Sequence, residues 1–172
     1  MGENIYLVGM MGSGKSSVAK LLAQRLMRSI ADLDDMIVQA AGMPIAVIFA
    51  RYGEQRFRAL ETEQLAVCAQ YERYIVATGG GVVIRDENID RMKQSGIVIY
   101  LASPLDELYD RIAGDGARPL LQADNPRKRL EEIFILRKAQ YEKADYTIDT
   151  TGKNPDEITE TILSTTTIPG KQ

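Results

Sequence analysis

Short apolar runs alternate along the chain with longer stretches in which apolar residues recur every three or four positions. Ile5-Tyr6-Leu7-Val8 stops at Gly9, and Val18, Leu21, Leu22 and Leu26 then recur at helical spacing. The pattern predicts a buried strand followed by a helix over about 15–27. Tyr74–Ala77, Ile97–Leu101 and Tyr146–Ile148 read as further strands, each ending in a polar or Gly/Pro break, and Ile30-Ala31-Asp32 as the end of a second one. Helical stretches are expected near 54–71, 104–112, 126–143 and 155–163. Pro104, Pro126 and Pro155 stand where those helices begin, the place where a missing N–H costs least. Strand-helix alternation with apolar strands implies an α/β fold: three α/β/α layers around a five-stranded parallel sheet. The tail 164–172 carries no packing pattern and is expected to fray.

Composition narrows the chemistry. At 172 residues the chain suits one domain, 1–172, and 45% hydrophobic with 26% charged residues suits a packed core. There is no histidine and a single cysteine, Cys68, so an imidazole base, a nitrogen–sulfur zinc site and an internal disulfide are all excluded. A lone cysteine fits a reducing, cytoplasmic setting and reads as a small core residue. No apolar run approaches the ~18 residues of a membrane span. A formal charge of −3 with 6% aromatics gives no footprint for nucleic acid. Any metal must therefore be held by oxygen.

Gly9-Met10-Met11-Gly12-Ser13-Gly14-Lys15-Ser16 fits G-x-x-x-x-G-K-[S/T], between a predicted strand and a predicted helix. Glycines let consecutive backbone N–H groups face phosphate oxygens, and the helix N-terminus adds positive potential. Gly12, Ser13, Gly14, Lys15, Ser16 and Ser17 are the candidate nucleotide contacts, with Lys15 toward the β- and γ-phosphates and Ser16 toward Mg²⁺. The motif alone leaves a GTPase switch, a motor ATPase and a small-molecule kinase open.

Candidates for a second substrate follow. Strand alternation would put Asp32 and Asp34 on one side, one carboxylate serving Mg²⁺ and the other an acceptor hydroxyl. The simpler alternative is that Asp34 and Asp35 only charge the next helix N-terminus. Arg58 has Glu61 three residues on as a partner, or belongs to a surface ion pair. Gly79, Gly80 and Gly81 follow a strand directly and imply close approach of a ligand or another backbone. The segment 112–126, with Arg118 among glycines, reads as a mobile lid whose closure would bring a cation onto the transferred phosphoryl. Arg137 and Tyr141 share one helix face.

Assembled in this order, the phosphate loop, Asp32-x-Asp34, Phe57-Arg58-x-x-Glu61, the glycine triplet 79–81, Arg118-Pro119-Leu120-Leu121 and Arg137-x-x-x-Tyr141 resemble the shikimate kinase family. The resemblance spans about residues 5–162. It implies the architecture of the phosphate-loop kinases, with substrate-binding helices within 34–62. It further implies transfer of the γ-phosphoryl of ATP, with Mg²⁺, to the 3-hydroxyl of shikimate. Carried over position by position, Ser16 and Asp32 serve magnesium, Asp34 bonds the acceptor hydroxyl as base or orienter, and Arg58 and Arg137 hold the carboxylate. Gly80 offers its backbone to a ring hydroxyl, Arg118 descends from the lid, and Arg111 and Pro155 flank the adenine. The expected partners are shikimate and ATP alone, in a monomer. The other readings are a different small-molecule kinase, such as a gluconate kinase, or a nucleotide switch without an acceptor.

Overall fold

The computed structural model describes residues 3–113 and 124–168. Five strands form one sheet: β1 (Asn4–Val8), β2 (Ser29–Asp32), β3 (Tyr74–Ala77), β4 (Gly96–Ala102) and β5 (Tyr146–Asp149). Their order is β2-β3-β1-β4-β5 and every pairing is parallel. The helices described are α1 (Lys15–Leu26), α2 (Leu33–Ala41), α3 (Ile45–Cys68), α4 (Asp86–Ser95), α5 (Leu105–Ile112), α6 (Pro126–Tyr141) and α7 (Pro155–Thr165).

Alternation along the central strand builds the three layers. Ile5 and Leu7 pack with Val18 and Leu22 of α1 and with Ile158 and Ile162 of α7. Tyr6 and Val8 point the other way, into a core shared with Leu33, Phe57, Leu65, Met92, Ile133 and Tyr141. All five residues of β1 are buried, as a strand covered on both faces requires. Because β3 lies on one side of β1 and β4 on the other, the strand order reverses at the carboxyl end of β1. That is where an open α/β sheet leaves a crevice.

Four expectations need correction. The helix expected near 54–71 starts at Ile45, after Pro44, and ends at Cys68; Gly53 (φ 77, ψ 173) breaks it in the middle, which masks the continuity of its apolar stripe. Helix α4 has no counterpart in the expected elements, because only Asn88, Ile89 and Met92 are buried on a largely polar segment. Asp32 and Asp34 do not alternate on a strand: β2 ends at Asp32, whose side chain accepts from the Asp34 N–H and starts α2. The tail is ordered further than expected. Helix α7 runs to Thr165, and Ile168 is 6% exposed against the α1/α7 core.

Among the described residues no single helix is long and apolar enough to cross a membrane; only α2 and α3 taken together, bent by 88°, reach that composition. Ile168→Ala is expected to lower stability by about 2 kcal/mol through lost burial. Urea unfolding followed by circular dichroism checks this; an unchanged midpoint would mean the tail does not pack.

Candidate active site

The phosphate loop leaves β1 at Gly9 and enters α1 at Lys15. Gly14, the residue before the helix, sits at φ 87, a left-handed conformation that a side chain would strain. No side chain caps α1 and no acid stands in its first turn. The N–H groups of Lys15, Ser16 and Ser17 thus open a 12-residue helix whose positive end faces the crevice. Lys15 is nearly buried, and its ammonium donates to the carbonyls of Gly9 (2.9 Å) and Met10 (2.8 Å) and to Ser13 Oγ (3.3 Å). The loop holds the cation that the sequence assigns to the phosphates.

Ser16 Oγ donates to Asp32 Oδ2 at 2.9 Å. A hydroxyl and a carboxylate facing each other at the mouth of the phosphate loop are the oxygen donors a hard cation needs. Among the described residues no group of three or more His, Cys, Asp or Glu could hold a metal. A magnesium ion here would therefore take Ser16, Asp32 and phosphate oxygens, which fits its habit of binding few protein ligands. The loop, Asp32, Asp34, Thr78, Gly79 and Gly80 line one cavity of about 260 Å³.

The far wall of that cavity is the glycine triplet, and charged groups press on it from below. A Cβ built on Gly79 would lie 2.8 Å from Glu61 Oε1 and 3.0 Å from Asp34 Oδ1. On Gly81 it would lie 2.1 Å from Arg58 Nη1, and on Gly80 3.3 Å from the Met11 N and 3.7 Å from Arg137 Nη1. Two carboxylates and two guanidiniums, from α2, α3 and α6, thus converge on three consecutive backbone units. A side chain on Gly79 or Gly81 would collide with these charged groups, and one on Gly80 would crowd the loop backbone.

Arg58 is 7% exposed and Glu61 is 1% exposed. Burial pushes the Glu61 carboxyl up from its ordinary range, against the pull of the Arg58 guanidinium; Asp34 adds to the rise. Burial would lower Arg58, but Glu61 and Glu54 hold it above its usual value. Its two edges have different partners. Nη1 bonds buried Glu61, whereas Nε (3.2 Å) and Nη2 (2.9 Å) bond Glu54, whose side chain is 49% exposed. The guanidinium also lies over the Phe57 ring at 5.1 Å, and Phe57 meets Phe49 at 4.8 Å, across the Gly53 break.

Glu54 was not foreseen, although its i,i+4 spacing to Arg58 signals the pair. Tyr141 is fully buried and donates to the Gly80 carbonyl. On the nucleotide side, Arg111 reaches the Gly12 carbonyl (3.3 Å) and pairs with Glu107, which also accepts from the Gly152 N–H. That carboxylate ties α5 to the loop leading to Pro155 at the start of α7. Arg118 and most of the expected lid, residues 114–123, lie outside the described residues.

A parallel sheet with a phosphate loop at its strand-order reversal, and beside it a glycine wall backed by two buried guanidiniums, has the build of a phosphate-loop phosphotransferase. A family model described as shikimate kinase matches residues 11–167. A shikimate kinase of Thermodesulfovibrio yellowstonii is 44% identical over 161 residues, covering 94% of this chain and 93% of that one. That of Geobacter sulfurreducens is 44% identical over 157 residues, covering 91% and 87%. The solved shikimate kinase of Acinetobacter baumannii, in complex with shikimate, superposes with a TM-score of 0.92 at 38% identity, over 95% of this chain and 92% of that one. The chain belongs to the shikimate kinase family. It is an ATP- and Mg²⁺-dependent kinase that phosphorylates a hydroxyl of shikimate.

Gly81→Ala is expected to drive the Arg58 guanidinium out of its seat. The loss of a charged contact, about 1.5–3 kcal/mol, should raise the shikimate KM at least roughly tenfold. Fluorescent-nucleotide binding should stay unchanged; equal loss of both ligands would mean that the substitution disturbs the whole fold.

Proposed function

We propose that Arg58 and Arg137 together grip the shikimate carboxylate, and that Asp34 and the Gly79–Gly81 backbone receive the ring hydroxyls. The observation that carries this is the convergence of the two guanidiniums and the Asp34 carboxylate on the glycine triplet, beside the phosphate loop. A planar, forked cation matches a carboxylate in two parallel hydrogen bonds, which lysine does not offer. Glu61 fixes one edge of Arg58 from the protein interior. Glu54 covers the other edge and, being half-exposed, is the partner that an incoming carboxylate displaces.

Transfer then needs alignment more than covalent help. Asp34 accepts the hydrogen bond of the 3-hydroxyl and turns its oxygen toward the γ-phosphorus, while Gly12–Ser17 hold the nucleotide tail by main-chain N–H groups. The new O–P bond forms as the bond to the bridging oxygen of ADP breaks, and the hydroxyl proton passes to the Asp34 carboxylate. Lys15 exchanges loop carbonyls for phosphate oxygens and meets the growing charge there. Ser16 and Asp32 would hold magnesium, which supplies neutralisation of the phosphates when bound. Arg118 adds a further cation to the transferred group, and Arg111 and Pro155 bracket the adenine. The enzyme is proposed to work as a cytoplasmic monomer, the lone buried cysteine suiting a reducing compartment.

Arg58→Ala and Arg137→Ala should each raise the shikimate KM far more than the ATP KM, by about 1.5–3 kcal/mol in binding. An unchanged shikimate KM in coupled ADP-release kinetics would refute the carboxylate role. Lys15→Ala and Arg118→Ala should instead depress kcat with the circular dichroism spectrum intact. Wild-type turnover of the Arg118 variant would remove that residue from the transfer step.

A further inference from the structure

The Tyr141 hydroxyl is buried at a meeting point of three parts of the site. It donates to the Gly80 carbonyl and lies 3.4 Å from the sulfur of Met10 in the phosphate loop, and the Arg137 guanidinium, one turn earlier on α6, lies 3.7 Å from where a Cβ on Gly80 would be. Its ring is clamped on Tyr100 of β4, stacked at 5.1 Å with planes 13° apart. Met10 is itself 1% exposed, and Gly80 approaches the Met11 N closely enough that a Cβ would sit 3.3 Å away. Burial raises the phenol to about 12, so the hydroxyl stays protonated and keeps its donor.

A peptide unit is planar, so fixing the Gly80 carbonyl fixes the direction of the Gly81 N–H across the same bond. We infer that Tyr141 is a positioning residue: from one hydroxyl it orients the glycine-triplet backbone, beside which the Arg137 guanidinium lies, toward the acceptor, and ties it to the nucleotide loop through Met10. It touches no reacting atom. Tyr100 supplies the rigid backing that prevents the ring from tilting. The inference rests on the reading that the glycine triplet and Arg137 contact shikimate.

Tyr141→Phe keeps the ring and its stack and leaves the Gly80 carbonyl without its donor. The shikimate KM should rise about three- to tenfold, with the ATP KM and kcat within about twofold of wild type. In titrations of shikimate alone and with a non-hydrolysable ATP analogue, the nucleotide should improve shikimate affinity less in the variant than in wild type. 4-Aminophenylalanine at position 141, which restores a donor, should bring the shikimate KM back. Should the phenylalanine variant fail to fold, 4-aminophenylalanine is compared with 4-methylphenylalanine, which fills similar volume without a donor; the same split is expected. A shikimate KM within about 1.5-fold of wild type in the variant without a donor overturns the inference, as does a parallel rise in both KM values. Arg137→Ala separates the two levels. If it raises the shikimate KM while Tyr141→Phe does not, the binding reading stands and the positioning role falls; if neither does, the binding reading falls first.

Discussion

A single buried ion pair organises the wall beside the phosphate loop. Glu61 is all but inaccessible to water, and a carboxylate in that position is tolerated only because Arg58 lies against it. Removing one member of such a pair leaves an uncompensated buried charge and typically costs about 3–5 kcal/mol. The pair therefore gives the guanidinium one fixed edge and one outward edge. The glycine triplet closes over it, and a side chain on Gly81 would collide with the Arg58 guanidinium; the proposed carboxylate site is built on that close fit.

The rest of the fold delivers partners to this point. Helix α1 begins where β1 ends, so the phosphate loop lies at the reversal of strand order, and the register of β1 with β3 brings the glycine triplet level with it. Thr78 cements that level by donating its hydroxyl to the Leu7 carbonyl at 2.8 Å. Helix α6 arrives from the other side with Arg137 and Tyr141 on its buried face. Four segments distant in sequence thus share one crevice. None of them needs a histidine, because phosphoryl transfer is carried by positioning and by cations rather than by a base of neutral pKa.

Much of this was legible in the chain because the informative residues sit at element ends. The apolar runs marked the strands to within a residue or two, and the G-x-x-x-x-G-K-S spacing placed the loop without reference to tertiary structure. Paired features in sequence also carried over: Arg58 with Glu61, and Arg137 with Tyr141, are one helical turn apart and stay together once folded. What was obscured depended on backbone conformation or on long-range packing. Gly53 concealed the first half of α3 by breaking its period, and the mainly polar α4 offered too sparse a stripe. Asp32 and Asp34 looked like neighbours on a strand until the Asp32 side chain ended that strand by capping α2. The contact of Tyr141 with Gly80 and Met10 joins residues 61 and 131 positions apart, a separation that no local pattern encodes.

The position of one carboxylate decides between this mechanism and any other. A crystal structure of the enzyme with shikimate, ADP and magnesium tests it directly. The shikimate carboxylate should bridge the outward edge of Arg58 and the Arg137 guanidinium, with Glu54 displaced and Glu61 still in place. A carboxylate docked away from these two side chains, or an Arg58 whose outward edge remains bonded to Glu54 in the complex, would contradict it.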